Sequence, residues 1–166
     1  TIRLGKRTED RVPRIREFVP LEELENLVFG GWDINEENLY EICIRSGVLE
    51  NSLVEMVKPK LESIKVWPAV FDKKFVRRLE GNYVKSAKDK LELAEQIIND
   101  IQNFVDSNNT SSNVMIWCGS TEIFFESSEV HSTLKKFEKG LANNDPAISP
   151  SMIYAYASCL LYTSPS

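Results

Sequence analysis

Apolar residues fall along this chain in two rhythms. Leu27, Val28 and Phe29 form a short unbroken run of branched and aromatic side chains, the signature of a buried strand. Gly30, Gly31, Trp32 and Asp33 follow with turn chemistry, after which Leu39, Ile42, Cys43 and Ser46 repeat at helical spacing. Asn35 is the expected N-cap of that helix, Glu36 and Glu37 suit its positive first turn, and Gly47 is its expected stop. Strand, tight turn and helix together make the building block of parallel α/β sheets.

Leu53, Val57, Leu61 and Ile64 continue at helical spacing, with Pro59 placed to kink or restart the helix. Residues 66–72 read as a loop or short extended piece, because Pro68 keeps its neighbour out of helical angles. Phe75, Val76 and Leu79 suggest a helical turn ending near Gly81. The strongest period runs from Ala87 to Asp106. Leu91, Ala94, Ile97, Ile98, Ile101, Phe104 and Val105 share one face there, opposite Lys88, Glu92, Asn99 and Asn103. A polar loop at 107–113 leads into Val114–Cys118, a second expected strand. Residues 131–143 and 149–160 complete the helices, the last capped by Ser149 with Pro150 in its first turn.

This order predicts an α/β fold, an open and mostly parallel sheet with helices on both faces. Ligands of such sheets sit beyond the carboxyl ends of the strands. The segments GGWD (30–33) and CGSTE (118–122) each follow an expected strand, so they share the expected ligand edge.

Composition narrows the class further. A chain of 166 residues, 42% hydrophobic and 27% charged, suits one soluble domain with a real core. Its net charge of −5 argues against a nucleic-acid partner. Arg3, Lys6, Arg7, Arg11, Arg14 and Arg16 form a local exception that either attracts a phosphate or serves as a solvated arm. Cys43, Cys118 and Cys159 are too widely spaced for a disulfide framework or a zinc cluster, which points to a reducing compartment. No apolar run approaches the roughly 18 residues that span a membrane.

The chemistry-bearing motifs are sparse. Neither a G-x-G-x-x-G nor a G-x-x-x-x-G-K-[ST] phosphate fingerprint occurs. Asp33 either caps the following helix or accepts hydrogen bonds from a ribose or amide at a strand end. His131 is the single histidine, so no Ser/His/Asp or Cys/His set can be assembled, and packing near a helix start is its expected role. Glu122 is a lone carboxylate after a strand, and Cys118 reads as a small buried hydrophobe. The residues themselves describe a ligand edge without catalytic groups or a metal-ligand set.

Eight segments then carry a resemblance. They are TIRLGKR (1–7), VFGGWDINEENLYE (28–41), GVLE (47–50), PAVFDKKFV (68–76), INDIQNF (98–104), MIWCGSTE (115–122), VHSTLKKFE (130–138) and DPAISPSMIYAYAS (145–158). In this order and spacing the chain resembles the myo-inositol-1-phosphate synthases (inositol-3-phosphate synthases), and its divergent bacterial branch in particular. The resemblance implies a Rossmann-like NAD-binding domain, incomplete in this chain. It implies conversion of D-glucose 6-phosphate to 1D-myo-inositol 3-phosphate, for inositol and phospholipid biosynthesis. That reaction is redox-neutral: NAD takes a hydride from the sugar, enolisation permits an intramolecular aldol closure, and the hydride is returned. The alternatives are another NAD-dependent oxidoreductase and a non-catalytic cofactor-binding homologue.

By the same resemblance, Asp33 of GWD contacts NAD. The turn Trp117–Glu122 lines the cofactor, with Thr121 and Glu122 matching the family pattern and Cys118, Gly119 and Ser120 standing as substitutions at small positions. Ala69 and Val70 occupy another cofactor-lining stretch. Residues 77–83 depart from the better-known eukaryotic pattern, so no glutamine or arginine role transfers to them. Residues 1–160 are expected to be the central part of the NAD-binding domain. The family's glycine- and asparagine-rich NAD loop is expected before Thr1, and its catalytic lysines and tetramer-forming sheet after Ser166. Residues 161–166, ending LYTSPS, depart from the family and are expected to be an assembly artefact. The implied setting is a cytoplasmic homotetramer.

Overall fold

A computed structural model describes residues 14–119 and 121–163. Among the described residues are six α-helices: α1 (Leu39–Ser46), α2 (Asn51–Met56), α3 (Lys58–Ser63), α4 (Lys90–Asn108), α5 (Leu134–Ala142) and α6 (Pro150–Thr163). Two short strands, β1 (Trp32–Asp33) and β2 (Trp67–Pro68), pair in parallel with Trp32 opposite Trp67 and Asp33 opposite Pro68. A single parallel bridge joins Ala69 to Val84. The class is α/β with a parallel pairing, as expected, though far less of the sheet is laddered than the apolar runs suggest.

Neither expected strand forms where the apolar run lies. Leu27–Phe29 is irregular and exposed, and the first strand begins three residues beyond it, at Trp32. Val114–Cys118 is also irregular, with Val114 and Ile116 exposed and Met115 packed against the core. A strand is completed by a partner's N–H and C=O groups, and none of the described residues supplies a ladder to either run.

Helix boundaries follow local chemistry. Asn38, not Asn35, caps α1: its Oδ1 accepts the Glu41 N–H at 3.0 Å, while Glu41 Oε2 accepts the Asn38 N–H at 2.9 Å. Gly47 ends α1 at φ 61°, the expected stop. Pro59 splits the expected 53–64 helix into α2 and α3, because its ring clashes with the carbonyl four residues back. The turn around Phe75 and Val76 is held by their N–H groups donating to the Asp72 carbonyl, without a regular helix.

The core lies where α4 crosses α6 and meets α5. Ala94, Ile97 and Ile101 on one face of α4 pack with Leu141, Ile148, Ile153, Tyr154 and Ala157, and Val70 joins them from the strand side. These are the inward positions of the strongest sequence period. The start of α4 is clasped by the 144–148 turn. Asn144 Oδ1 accepts the Lys90 N–H at 3.0 Å, and Lys90 Nζ donates to the carbonyls of Asp145 and Ile148 at 2.7 and 2.6 Å. Burial pushes the Lys90 ammonium below its ordinary pKa, against the opposing pull of Asp72 and Asp145. No helix among the described residues is long and apolar enough to cross a membrane.

Candidate functional site

Because β1 and β2 run parallel, Asp33, Ala69 and Val70 leave the pair at the same carboxyl edge. Asp33 is half-buried. Its Oδ1 accepts the Asn35 N–H at 2.9 Å and the Asn35 side-chain amide at 3.3 Å, closing a tight turn. That turn uses Asn35, which is why the cap of α1 falls to Asn38. Both bonds converge on Oδ1, and among the described residues no hydrogen bond reaches Oδ2.

Ala69 and Val70 are 7% and 6% exposed. Their shared peptide is committed on both sides: the Val70 N–H donates to the Tyr154 hydroxyl at 2.9 Å, and the Ala69 carbonyl accepts the Lys85 N–H at 2.8 Å. The Ala69 N–H donates to the Tyr83 carbonyl at 3.1 Å. What these two residues offer a ligand is therefore apolar side-chain surface rather than backbone donors. Val70 also borders a cavity of about 230 Å³, shared with Asp72, Lys90, Leu93, Ile148 and Ile153.

The third segment reaches this edge through an aromatic contact. The Trp117 ring lies 5.3 Å from the Tyr154 ring, and Glu122 Oε1 accepts the Ser151 N–H at 3.2 Å at the start of α6. Cys118 and Thr121 are exposed and Gly119 is half-buried. The exposure corrects the reading of Cys118 as a buried hydrophobe: without a ladder at 114–118, no sheet face covers it. Ser120 lies outside the described residues, as do all but Arg14 and Arg16 of the basic N-terminal cluster, and Arg16 pairs with Glu23. His131 is structural, as its position suggested. Its Nδ1 accepts the Ser128 N–H at 2.9 Å, so Nε2 carries the proton toward the Ala147 carbonyl at 3.2 Å.

The residues that gather these segments were not singled out in the sequence. Tyr154 meets Trp32 edge-on at 5.1 Å as well as Trp117, and Trp32 in turn lies 5.4 Å from Trp67, which meets Phe104 at 5.8 Å. Gly30 runs beneath this stack, where a Cβ would come within 2.7 Å of Trp67 Cη2 and 3.0 Å of Phe104 Cε2. Gly31 has open space around it, so only at the first glycine of the pair would a Cβ force the neighbouring rings to shift. Asp100 Oδ2 accepts the Trp32 indole N–H at 2.7 Å and pairs with Lys85 Nζ at 2.8 Å. A usable signal existed for Tyr154: it sits on the apolar face of the last helix between Ile153 and Ala157, and a buried phenol needs a hydrogen-bond partner.

Burial raises the Tyr154 hydroxyl well above its ordinary value of 10, with the Val70 N–H opposing the shift. The sign for stability follows. Below pH 10 the phenol is neutral in both states; above it the unfolded chain loses the proton while the folded chain keeps it, so stability falls as pH rises. We expect wild-type protein to lose stability faster than Tyr154→Phe between pH 9.5 and about 11. Parallel slopes in urea titrations would contradict this.

A parallel α/β unit that presents an acid and apolar strand-end residues at one carboxyl edge has the form of a nucleotide-binding domain. The family model described as Myo-inositol-1-phosphate synthase, an NAD-binding model, matches residues 1–164, and the chain belongs to this family. It is 43% identical over 144 residues to inositol-3-phosphate synthase 1 of Bacteroides thetaiotaomicron, covering 86% of this chain and 34% of that protein. Its identity to inositol-3-phosphate synthase 1 of Plasmodium falciparum is 31% over 166 residues, covering 96% of this chain and 28% of the other. The crystal structure of the Caenorhabditis elegans inositol-3-phosphate synthase superposes with a TM-score of 0.83 at 28% identity, over 90% of this chain and 30% of that one. The chain thus spans about a third of the length of its curated relatives.

Proposed function

We propose that this chain forms one wall of the NAD site in a full-length inositol-3-phosphate synthase. Asp33 accepts hydrogen bonds from the cofactor through Oδ2, Ala69 and Val70 supply apolar surface, and Cys118, Gly119, Ser120 and Thr121 are the further cofactor-lining residues of this reading. The arrangement suits a dinucleotide. A carboxylate at a strand end matches the donor hydroxyls of a ribose, and buried small residues beside it leave room for a ring system. Bound NAD supplies a hydride acceptor that is regenerated within each turnover. This chain's residues bind and orient; in this reading the catalytic lysines and the homotetramer contacts belong to other parts of the polypeptide, and the protein works in the cytoplasm.

The observation that carries the reading is the meeting of Asp33 with Ala69–Val70 at one carboxyl edge, in a chain that matches the family along nearly its whole length. The full-length protein is expected to convert glucose 6-phosphate to inositol 3-phosphate with catalytic NAD. Product limited to one equivalent per NAD, or none, would sink the assignment in favour of another NAD-dependent oxidoreductase or a non-catalytic homologue. Asp33→Asn keeps the Oδ1 turn with Asn35 but replaces Oδ2 by a donor. Its NAD affinity is expected to fall about tenfold, the scale of one hydrogen bond to a charged group. Calorimetry reads this directly, and unchanged affinity would remove Asp33 from the site.

A further inference from the structure

Three segments far apart in sequence meet at one side chain. Tyr154, on α6, is 4% exposed. Its ring contacts Trp32 at 5.1 Å and Trp117 at 5.3 Å, so it lies against both the residue before Asp33 and the residue before Cys118. Its hydroxyl accepts the Val70 N–H at 2.9 Å, 84 residues away in sequence. These are the β1 end, the β2 end and the 117–122 turn, which together make up the proposed cofactor wall.

We propose that Tyr154 is a positioning residue for NAD, setting the relative placement of these three segments without itself touching the cofactor. The inference rests on the NAD reading above and deepens it. The hydroxyl is the specific element. The two ring contacts are apolar and tolerate sliding, whereas the hydrogen bond fixes the direction of the 69–70 peptide and with it the side-chain surface of Val70. The Ala69 carbonyl of that same peptide is held by the Lys85 N–H, so the plane is pinned from both sides only while the hydroxyl is present. Removing it leaves a buried N–H that must rotate or admit water to be satisfied.

The test uses full-length protein carrying Tyr154→Phe, which keeps both ring contacts. NAD affinity is expected to weaken fivefold to tenfold, on the order of the loss when one positioning hydrogen bond is removed. KM for glucose 6-phosphate at saturating NAD is expected to stay within about twofold, a split that a general loosening of the fold would not produce. Trp117→Leu is the second variant, because Trp117 is 47% exposed and the fold does not depend on burying it. It should weaken NAD in the same direction. Wild-type affinity for NAD in Tyr154→Phe, with only a lowered Tm, would overturn the positioning role while leaving the NAD reading intact. Failure of the wild-type protein to bind NAD would overturn both.

Discussion

Asp100→Ala is expected to destabilise the protein by about 3–5 kcal/mol, the scale for leaving one member of a buried ion pair without its partner. The Lys85 side chain is 7% exposed and that of Asp100 19%, so the surviving ammonium would be held out of water. Asp100 Oδ2 also accepts the Trp32 indole N–H, so the same change orphans a second donor. Asp100→Asn retains an acceptor for Trp32 and loses the charge, so its effect should fall between wild type and alanine. A Lys85→Met, Asp100→Leu double variant removes both charges and should recover part of the loss, as matched apolar replacements of buried pairs often do. Urea titrations at constant m-value provide the measurement. A loss for Asp100→Ala under about 1 kcal/mol would show that the pair behaves as an exposed one.

That network also shows what the sequence could and could not convey. The period of α4 was legible because a helix announces its buried face locally: Ala94, Ile97 and Ile101 lie where the spacing placed them. The stop at Gly47 and the break at Pro59 were legible for the same reason, since each acts within one turn of its own position. Asn38 was missed in favour of Asn35, although the Asn38–Glu41 spacing is a capping box, because Asp33 competes for Asn35 within the preceding turn. Strands are different. Their identity depends on a partner elsewhere in the chain, so the apolar runs Leu27–Phe29 and Val114–Cys118 announced strands that pair with none of the described residues.

The proposed site divides along the same line. Asp33 and the stretch Ala69–Val70 could be placed from motif and resemblance, and the parallel pairing brings them to one edge. The residues that assemble that edge, Tyr154, Lys85 and Asp100, act across 84 and 15 positions, and no periodicity encodes such distances. The pair Gly30–Gly31 is the instructive middle case. Two adjacent glycines look equivalent in sequence, yet a Cβ on the first would have to displace the Trp67 indole, whereas one on the second enters open space.

A glycine with no marked motif around it carries the second large expected effect. Gly81→Ala should cost about 3 kcal/mol, the upper end for overpacking, because the obstacle is backbone rather than a side-chain tip. A Cβ at this position would lie 2.2 Å from the Ile34 carbonyl oxygen and 2.6 Å from the Ile34 Cβ. That carbonyl accepts the Tyr83 N–H at 2.9 Å, and the Tyr83 carbonyl in turn accepts the Ala69 N–H, so Ile34 cannot retreat without opening the joint between the two strand ends. Ile34 directly follows Asp33, and the displacement reaches the candidate cofactor acid through a single peptide. The variant should therefore lose NAD affinity along with stability. Gly31→Ala is the matched control: its Cβ enters open space, so its unfolding free energy should change by no more than about 0.5 kcal/mol, or rise slightly through the reduced freedom of the unfolded chain. Chemical denaturation and NAD calorimetry on the two variants separate the causes. Equal stability in both would mean that the 34–81 approach relaxes, whereas a loss confined to Gly81→Ala ties the placement of Asp33 to a contact 47 residues away from Ile34 in sequence.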